Sequence, residues 1–366
     1  MARTSHYHFN KTVKINYDLM KKWVSDIFAA QGISREDSDV VADSLVDADA
    51  RGVYSHGTQR VQMYTGRIQK NCVNVKGKPR IVSRNGATAV VDGDNAMGQV
   101  VGLFSMKLAI EIAKEYGISI VVARASNHYG RCAYYTRMAL ANDMIGISST
   151  VGGGNLMAPW GGREPRVGNN PFSIALPTKD RYPVVLDMAQ SVVARGKIEM
   201  AKKTHSSIPE AWALDKDGLP TTDPVKGAEG SVRPIADYKG SDLAMMVVYM
   251  SSVLSGGAVG PNLKSVYKDF SGGLNKGQLF MAIDVSRMID PEAYKERMKE
   301  QVDFIKSTPK ATGVDEVLMP GEQEWQYFDR QTKEGITYAV EVIGEIEEVS
   351  NKLGVKIPDE IAKLMC

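Results

Sequence analysis

The segment most informative about the fold of this chain is residues 118–130, which read ISIVVARASNHYG. Apart from one serine, its first six residues are β-branched or small and apolar, so they predict a buried strand. A histidine follows in a loop that ends at a glycine. Because imidazole has an ordinary pKa of about 6.5 and strand ends are where α/β proteins place reacting groups, His128 is predicted to be an acid–base catalyst.

A second histidine lies in residues 51–60, RGVYSHGTQR, where glycines stand on both sides of it. If the chain after Gly57 is helical, His56 and Arg60 share one face and form a pair of donors suited to a carboxylate. A single histidine is more often a structural residue than a catalyst, and that alternative stays open for His56 and for His128. The two histidines and Arg60 together predict a site for an acidic substrate.

The composition limits the class of protein. With 366 residues, 43% hydrophobic and 24% charged, the chain predicts a globular protein of two domains. The formal net charge is +2 and no run of five like charges occurs, which argues against a nucleic-acid partner and against binding to an anionic membrane. The first thirty residues contain no continuous apolar segment, which argues against secretion.

The three cysteines, Cys72, Cys132 and Cys366, are widely spaced. An odd number without Cys-x-x-Cys spacing predicts neither a disulfide framework nor a zinc cluster. We therefore expect free thiols, a cytoplasmic location and no metal ion.

Residues 243–263 contain no charged side chain and reach the length of a membrane span. Only residues 243–250 are densely apolar, however, and serines, glycines and a proline follow them. The pattern favours a helix that ends at a glycine turn. Because residues 243–250 are apolar almost all round a helix, we expect them to pack against a second subunit, with burial inside one subunit as the alternative.

Both ends of the chain have helical periodicity. Apolar residues recur at three- and four-residue spacing from Asn16 to Gly52, and Gly32 followed by Ser34 marks the stop of one helix and the N-cap of the next. Residues 338–353 show the same spacing. The two ends are therefore expected to join in one helical unit.

The middle of the chain alternates strand-like with helix-like segments. We predict helices over 100–116 and 133–142, and strands over 87–92, 118–123, 144–149, 172–176 and 183–187. This order predicts an α/β domain. No Gly-x-Gly-x-x-Gly follows a strand at the start of a helix, so a standard Rossmann fold is not predicted.

Two strand ends have patterns suited to a polar cofactor. Gly152, Gly153 and Gly154 follow the strand predicted over 144–149, and their amides could surround a phosphate, although a flexible loop is an equal alternative. Asp187 ends the strand over 183–187, and residues 195–197 then bring two cations. For that second pattern, an ordinary strand exit followed by a solvated helix is the alternative.

Several blocks of sequence occur in an order that resembles the type-two malate/L-lactate dehydrogenase family, whose members include ureidoglycolate, sulfolactate and diketogulonate oxidoreductases and a cyclic-imine reductase. So many collinear blocks are more specific than any single motif. The blocks are DADARG at 47–52, SHG at 55–57 with Arg60, NHYG at 127–130, PWGG at 159–162, GNNP at 168–171, LDMA at 186–189, ARGK at 194–197, residues 209–223, YKG at 238–240, LSGG at 254–257 and VLMPGE at 317–322.

The resemblance implies a homodimeric oxidoreductase that uses NAD or NADP without a Rossmann fold. The implied fold is of the α/β class, with a cofactor-binding sheet domain at 83–314 beside a helical domain built from both chain ends, 1–82 and 315–366. His128 is implied as the general acid/base, and His56 and Arg60 as ligands of the substrate carboxylate. The implied cofactor contacts, to which the glycine loop Gly152, Gly153 and Gly154 adds a candidate phosphate site, are Asp187, Met188, Ala189, Lys239, Pro320, Gly321 and Glu322.

We therefore predict an NAD(P)-dependent 2-hydroxyacid dehydrogenase that acts on malate, lactate or a related small carboxylic acid. His128 would remove the hydroxyl proton while hydride leaves the same carbon for the cofactor. A ureidoglycolate-type dehydrogenase, or a reductase of a cyclic imine such as piperideine-2-carboxylate, is the alternative within the family. Outside it, a ligand-binding protein and a hydrolase using Ser55 with His56 or Ser126 with His128 are the alternatives; we do not expect the hydrolase, since neighbouring side chains rarely point at each other.

Overall fold

A computed structural model describes residues 11–365 of the chain. Within these residues a seven-stranded mixed sheet has the strand order β2-β3-β4-β10-β5-β6-β7, and two short pairs, β1 with β11 and β8 with β9, lie apart from it. The strands are β1 (Thr12–Ile15), β2 (Arg80–Asn85), β3 (Thr88–Asp92), β4 (Ile118–Ser126), β5 (Met144–Thr150), β6 (Phe172–Leu176), β7 (Val184–Met188), β8 (Ala213–Leu214), β9 (Ser231–Val232), β10 (Lys276–Asp284) and β11 (Ile336–Ala339).

The sheet differs from a doubly wound parallel sheet. In the described part of the chain β3 and β4 form its one parallel pair, and every other pair is antiparallel. This arrangement confirms the prediction of an α/β fold without a Rossmann domain. All five predicted strands are present, but the sequence pattern missed β2 and the central strand β10.

Helices lie at both ends of the chain and between the strands. The predicted N-cap of the second helix is formed, since the side chain of Ser34 accepts a hydrogen bond from the amide of Asp37 at the start of α2. The structure also shows a cap that was not predicted: the side chain of Asn16 accepts hydrogen bonds from two amides of α1. The helices are α1 (Tyr17–Ala29), α2 (Arg35–Ala50), α3 (Val61–Gln69), α4 (Gly98–Tyr116), α5 (Cys132–Thr136), α6 (Arg195–Lys203), α7 (Pro224–Glu229), α8 (Tyr238–Val248), α9 (Pro291–Lys306), α10 (Glu322–Glu334), α11 (Val340–Leu353) and α12 (Asp359–Met365).

One hydrophobic cluster joins the two ends of the chain. It contains Trp23 and Phe28 from α1 together with Ile343 and Ile346 from α11. Trp23 also donates a 2.8 Å hydrogen bond to the hydroxyl of Ser350. The helix predicted over 338–353 begins two residues later than expected, because residues 336–339 form β11 and pair with β1.

Most residues of this cluster lie in 1–82 and 315–366, the segments of the predicted helical domain, but Met97 from the segment 83–314 also belongs to it. Other clusters lie within 83–314. The division into two domains stays a prediction, and residues 1–10 and 366 lie outside the described part of the chain. β2 crosses the boundary predicted at residue 82.

The uncharged stretch 243–263 forms the end of α8, a π-helical turn over Tyr249–Val253 and a loop. Ala244 and Val247 are buried against the protein, while another side of the same helix exposes large apolar residues. None of the helices in residues 11–365 is both long and apolar enough to cross a membrane.

Strand ends from distant parts of the chain meet along one side of the sheet, where β4, β5 and β7 end and where β6 and β10 begin. This side, formed by strand ends, is called the sheet edge below. Lys276, which begins β10, pairs with Ser126 at the end of β4, and Gln278 pairs with Thr150 at the end of β5. Farther along the same edge, Phe172 at the start of β6 pairs with Met188 at the end of β7. The loops that carry the predicted site residues of the sheet therefore leave from this edge.

Candidate active site

The structure brings His128 and His56 together. Their rings are stacked, with centroids 5.7 Å apart and planes at 21°. His128 follows the end of β4, where Ala125 has a left-handed backbone with φ of 49°. Gly98, at the start of α4, lies directly beneath: a Cβ atom there would lie 2.3 Å from the carbonyl oxygen of His128. The bend at Ala125 and the close approach of Gly98 therefore place the imidazole at the sheet edge.

A buried carboxylate positions the turn that carries His56 and Arg60. The amide of Thr58 donates a 2.8 Å hydrogen bond to Asp49, and a Cβ atom on Gly57 would lie 1.7 Å from the same carboxylate. Two 3-10 turns, Tyr54–His56 and Thr58–Arg60, lead from there into α3. Helical turns thus follow Gly57, which was the condition for pairing His56 with Arg60, and the charge of Arg60 acts on His56. The region around His56, Arg60 and His128 is called the cleft below.

One expectation about this turn is wrong. The hydroxyl of Ser55 lies 2.9 Å from Nδ1 of His56, although neighbouring side chains were expected to point apart. The two side chains contact each other within the 3-10 turn over residues 54–56. The contact occupies one nitrogen of His56 and fixes the ring against its neighbour.

The cleft is electropositive. Arg60 donates from Nε to the carbonyl of Ser55 at 2.7 Å, and its guanidinium lies 5.4 Å from the ring centroid of Tyr267. Lys276, which is 1% exposed, donates to the carbonyl of Gly152. Within residues 11–365 neither Arg60 nor Lys276 forms a salt bridge with a carboxylate. Arg60, together with Lys276 in its protonated form, therefore favours an anionic ligand beside the histidines.

Burial and these cations make both imidazoles weak bases. The pKa of His128 lies well below its ordinary value, because of burial first and then the positive charges of His56, Arg60 and Lys276. Burial, followed by the charges of Arg60 and Arg131, also lowers the pKa of His56. Each of the two histidine residues nevertheless keeps part of its surface exposed. Both imidazoles are consequently neutral at pH 7 and able to accept a proton.

The glycine loop lies next to this cleft, but part of its backbone is already engaged. The amide of Gly152 donates to Oδ1 of Asn170 at 2.9 Å, and the carbonyl of Gly153 accepts from Val266 at 3.0 Å. A Cβ atom on Gly152 would lie 2.0 Å from Oδ1 of Asn169, so no larger residue fits without movement. The loop is packed rather than free, and the amide of Gly152 has a partner inside the protein.

The predicted cofactor contacts at β7 follow the same edge. Asp187 accepts from the amide of Ala133 at 3.2 Å and lies 3.4 Å from Nε of Arg131. Burial raises the pKa of this carboxyl group, and Arg131 opposes the shift. Beyond Met188 and Ala189, Gln190 bonds through its backbone to Asn169 and to Ile235. Asp187 is thus linked to residues 131–133, and Gln190 to the loops that carry Asn169 and Ile235.

The remaining predicted contacts lie at the margin of this region. The carbonyl of Pro320 accepts from Val185 in β7, and Gly321 packs against the same residue with φ of 82°. The carboxylate of Glu322 accepts from the amide of Met319 and from Lys306. Lys239 is exposed at the start of α8, next to Gly240, whose amide bonds to Ile235. The 320–322 turn thus covers β7, an edge strand of the sheet.

Several buried polar atoms along this edge lack a protein partner within the described residues. They are Oδ1 of Asn169, both side-chain polar atoms of Gln190, and Nη1 of Arg131. Buried polar groups are normally hydrogen-bonded, so a row of unpaired ones marks a place for a polar ligand. Amide, ribose and phosphate groups of a dinucleotide match these donors and acceptors, and the residues present therefore fit NAD or NADP.

Three residues of this site, Tyr64, Lys276 and Arg131, were not predicted from the sequence. The hydroxyl of Tyr64 lies 2.7 Å from Nδ1 of His128. In the sequence nothing singles out Tyr64 except that it stands four residues after Arg60, in α3. Lys276 looked like an ordinary charged residue because β10 itself was missed. Arg131 directly follows the NHYG block and could have been found there. Among residues 11–365 no group of three His, Cys, Asp or Glu side chains is placed to hold a metal ion.

Comparison with known proteins agrees with this architecture. The family model for malate/L-lactate dehydrogenase matches residues 15–347. Malate dehydrogenase of Pyrococcus horikoshii is 38% identical over 352 residues, 94% of this chain and 96% of the relative. L-Sulfolactate dehydrogenase of Methanocaldococcus jannaschii is 39% identical over 93% of this chain and 97% of the relative. The crystal structure of malate dehydrogenase from Entamoeba histolytica aligns with a TM-score of 0.90 at 31% identity, covering 95% of this chain and all of that one.

Two further relatives have their cofactors in their names. Ureidoglycolate dehydrogenase (NAD(+)) of Escherichia coli is 32% identical over 91% of this chain and 94% of the relative. (2R)-3-Sulfolactate dehydrogenase (NADP(+)) of Chromohalobacter salexigens is 33% identical over 71% of this chain and 78% of the relative.

A mixed sheet with paired histidines and an arginine at its edge, matched over nearly its whole length by dehydrogenases, defines a dehydrogenase without a Rossmann fold. This chain belongs to the malate/L-lactate dehydrogenase family. The family and the type of enzyme predicted from the sequence are thereby confirmed, while the roles of the individual site residues stay predictions.

Proposed function

We propose that this enzyme interconverts a small 2-hydroxy acid and the corresponding 2-oxo acid with NAD or NADP. The observation that carries the proposal is the stack of His56 on His128 beside Arg60, in a cleft whose cations lack carboxylate partners within the described residues. A 2-hydroxy acid matches both features of this cleft, because its carboxylate must be bound as an anion and its hydroxyl group, on the neighbouring carbon, must exchange a proton.

Arg60 and His56 would bind the substrate carboxylate. The guanidinium of Arg60 is held at Nε by the carbonyl of Ser55, which leaves its planar end groups to form paired hydrogen bonds. His56 is anchored through Nδ1 by Ser55, so Nε2 is its remaining polar atom. Together they fix the acid with its neighbouring carbon close to His128.

His128 would exchange the proton of the hydroxyl group. In its neutral form it accepts the alcohol proton, while the nicotinamide, when bound, accepts the hydride from the same carbon. For reduction the ring must be protonated, which the positive cleft opposes in the absence of substrate. A bound carboxylate offsets the charge of Arg60 and raises the pKa of His128 again, so substrate binding itself favours the acid form.

The cofactor would lie along the edge beyond this cleft. Asp187, Met188, Ala189 and the 320–322 turn would line it, and the unpaired atoms Nη1 of Arg131, Oδ1 of Asn169 and the side-chain amide of Gln190 would offer polar partners. The relatives' names include both NAD and NADP, so each cofactor belongs in the first assays.

Replacement of His128 by Asn tests the proposal. Asn keeps some hydrogen bonding but accepts no proton, so kcat should fall roughly 100-fold or more while cofactor affinity by fluorescence titration persists. His205→Asn is the matched control, because His205 is exposed and its φ of 52° suits Asn. An unchanged kcat in His128→Asn would remove this residue from the chemistry. A panel of 2-oxo acids, ureidoglycolate and piperideine-2-carboxylate, followed by the absorbance of NADH and NADPH, separates the alternative substrates.

We further infer that the enzyme is a homodimer and works in a reducing compartment, the cytoplasm. Contiguous exposed apolar surface is the common mark of an interface, and the free, buried thiols of Cys72 and Cys132 suit a reducing environment. The residues of the proposed interface, each 45% to 59% exposed, are Leu243, Met246, Tyr249, Met250, Val253 and Leu254.

A further inference from the structure

A buried chain of hydrogen bonds ends on the imidazole of His128. The hydroxyl of Tyr64 lies 2.7 Å from Nδ1 of His128, and Nε2 of Gln99 lies 3.1 Å from the same hydroxyl. Tyr64 is 3% exposed and Gln99 is fully buried. The state of His128 is therefore coupled to two side chains that have little or no contact with solvent.

The scaffold holds the heavy atoms of this chain in place. Tyr64 lies on α3 one turn after Arg60, and its ring contacts that of Phe28 in the core, with centroids 6.4 Å apart. Gln99 follows Gly98, the residue packed against the backbone of His128. What can still change is where the protons lie and which end of the Gln99 amide faces Tyr64.

Counting protons leaves two arrangements. If the amide nitrogen of Gln99 donates to Tyr64, as it is oriented here, the phenol proton is free to donate to Nδ1 of His128. The neutral imidazole then carries its own proton on Nε2. If the amide is turned by half a rotation, Tyr64 donates to Oε1 of Gln99 and accepts from Nδ1–H. Nε2 of His128 then presents a lone pair.

These arrangements differ in the chemistry they allow. Removal of a proton from an alcohol requires a lone pair on the nitrogen that meets the substrate, and the bond made by the other nitrogen decides which tautomer is present. A neutral ring with its proton on Nε2 has no lone pair there. Oε1 of Gln99 has no partner within the described residues, so no bond made by that oxygen is lost when the amide turns.

We propose that Tyr64 and Gln99 are positioning residues that select the tautomer of His128, with the Gln99 carbonyl turned to Tyr64 in the form that oxidises the hydroxy acid. The inference rests on the proposed acid–base role of His128. In the step itself the alcohol proton moves to Nε2, hydride leaves for the cofactor, and the bond from Nδ1–H to Tyr64 is kept throughout. Tyr64 does not ionise, because burial holds its pKa above the ordinary range.

The test combines three variants with a direct view of the ring. Tyr64→Phe keeps the contact with Phe28 but removes the hydroxyl, Gln99→Met removes both polar ends of the amide, and Gln99→Glu offers an acceptor when ionised. Nitrogen-15 NMR of histidine-labelled enzyme distinguishes a protonated from an unprotonated Nδ1, and the spectrum of His128→Asn assigns the signal. Circular dichroism checks that each variant is folded.

At a pH where its carboxylate is ionised, Gln99→Glu should keep the proton on Nδ1 of His128. Gln99→Met, which has no acceptor, should not keep the proton there. Tyr64→Phe should change the tautomer of His128. In Tyr64→Phe, kcat for oxidation should fall at least about 10-fold with KM for the acid within about threefold, since a wrong tautomer slows chemistry without removing the carboxylate ligands. An unchanged nitrogen-15 pattern in Tyr64→Phe would overturn the inference even if His128→Asn abolishes turnover. A folded, fully active His128→Asn enzyme would instead overturn the proposed function.

Discussion

Lys276→Met should make the protein more stable, by an amount that depends on pH. Burial, with a smaller contribution from the charge of Arg67, lowers the pKa of Lys276 from 10.5 to about 7. The unfolded chain therefore holds this proton up to about pH 10.5, while the folded protein releases it above about pH 7. Since one pKa unit corresponds to about 1.4 kcal/mol, the full cost of burying the charge is on the order of 5 kcal/mol below pH 7.

The sign of the pH dependence follows from the proton count. Between about pH 7 and pH 10.5 the unfolded state binds one more proton than the folded state, so the free energy of unfolding of the wild type rises with pH. The methionine side chain of the variant has no such proton. The advantage of Lys276→Met should therefore be largest below about pH 7 and shrink by up to about 1.4 kcal/mol for each pH unit between about pH 7 and pH 10.5. The lost hydrogen bond to Gly152 subtracts about 1 kcal/mol at every pH.

Urea unfolding of both proteins at pH 7, 8 and 9, followed by tryptophan fluorescence, measures this difference. Lys268→Met, which removes an exposed lysine from the nearby loop, is the matched control and should show no such trend. A wild-type-minus-variant difference that stays constant from pH 7 to 9 would refute the argument. In the enzyme, loss of the cation should also raise the pKa of His128, so the acid limb of kcat/KM for oxidation should move to higher pH.

Three further predictions concern the carboxylate ligands and the interface. Arg60→Lys keeps the charge but loses the planar fork, so KM for the acid should rise about 10-fold or more with little change for the cofactor; steady-state kinetics showing the reverse would assign Arg60 to a phosphate. Gly57→Ala forces the turn away from Asp49, so kcat/KM should fall at least about 10-fold, whereas Gly66→Ala on α3, where a Cβ meets nothing within 4 Å, should retain activity. Met246→Glu should yield folded monomers in analytical ultracentrifugation, because Met246 is 49% exposed, while Val248→Glu should unfold the protein, because Val248 packs against two hydrophobic clusters. A fully active wild-type monomer at micromolar concentration would contradict the proposed interface.

The elements that the sequence predicted well depend on short-range interactions. Asn16 and Ser34 cap the amides of their own helices within three residues, and the strand at 118–126 is recognisable from its own side chains. The turn at 54–56 shows where local reasoning fails. The side chains of Ser55 and His56 meet in the 3-10 turn over 54–56 although they are neighbours in sequence, and buried Asp49 supports the chain that follows this turn.

The central strand β10 was missed for a different reason. Its place between β4 and β5 depends on pairing with residues that lie more than 120 positions earlier in the chain. Lys276 is buried because that pairing brings it between the ends of the two strands. A lysine in a sequence gives no indication of such desolvation, since the residue type is mostly exposed.

By itself the sequence determined the helices at both ends, the α/β class, the family and the identity of His56, Arg60 and His128 as candidates, because periodicity, capping and collinear motifs are properties of neighbouring residues. The tertiary structure alone decided that His56 stacks on His128 across 72 positions of sequence, that Tyr64 contacts Nδ1 of His128 and Gln99 contacts Tyr64, and that Lys276 is desolvated nearby. Proton affinities and hydrogen-bond partners depend on burial and on charges a few ångströms away, and these are set only when distant strands and helices pack together.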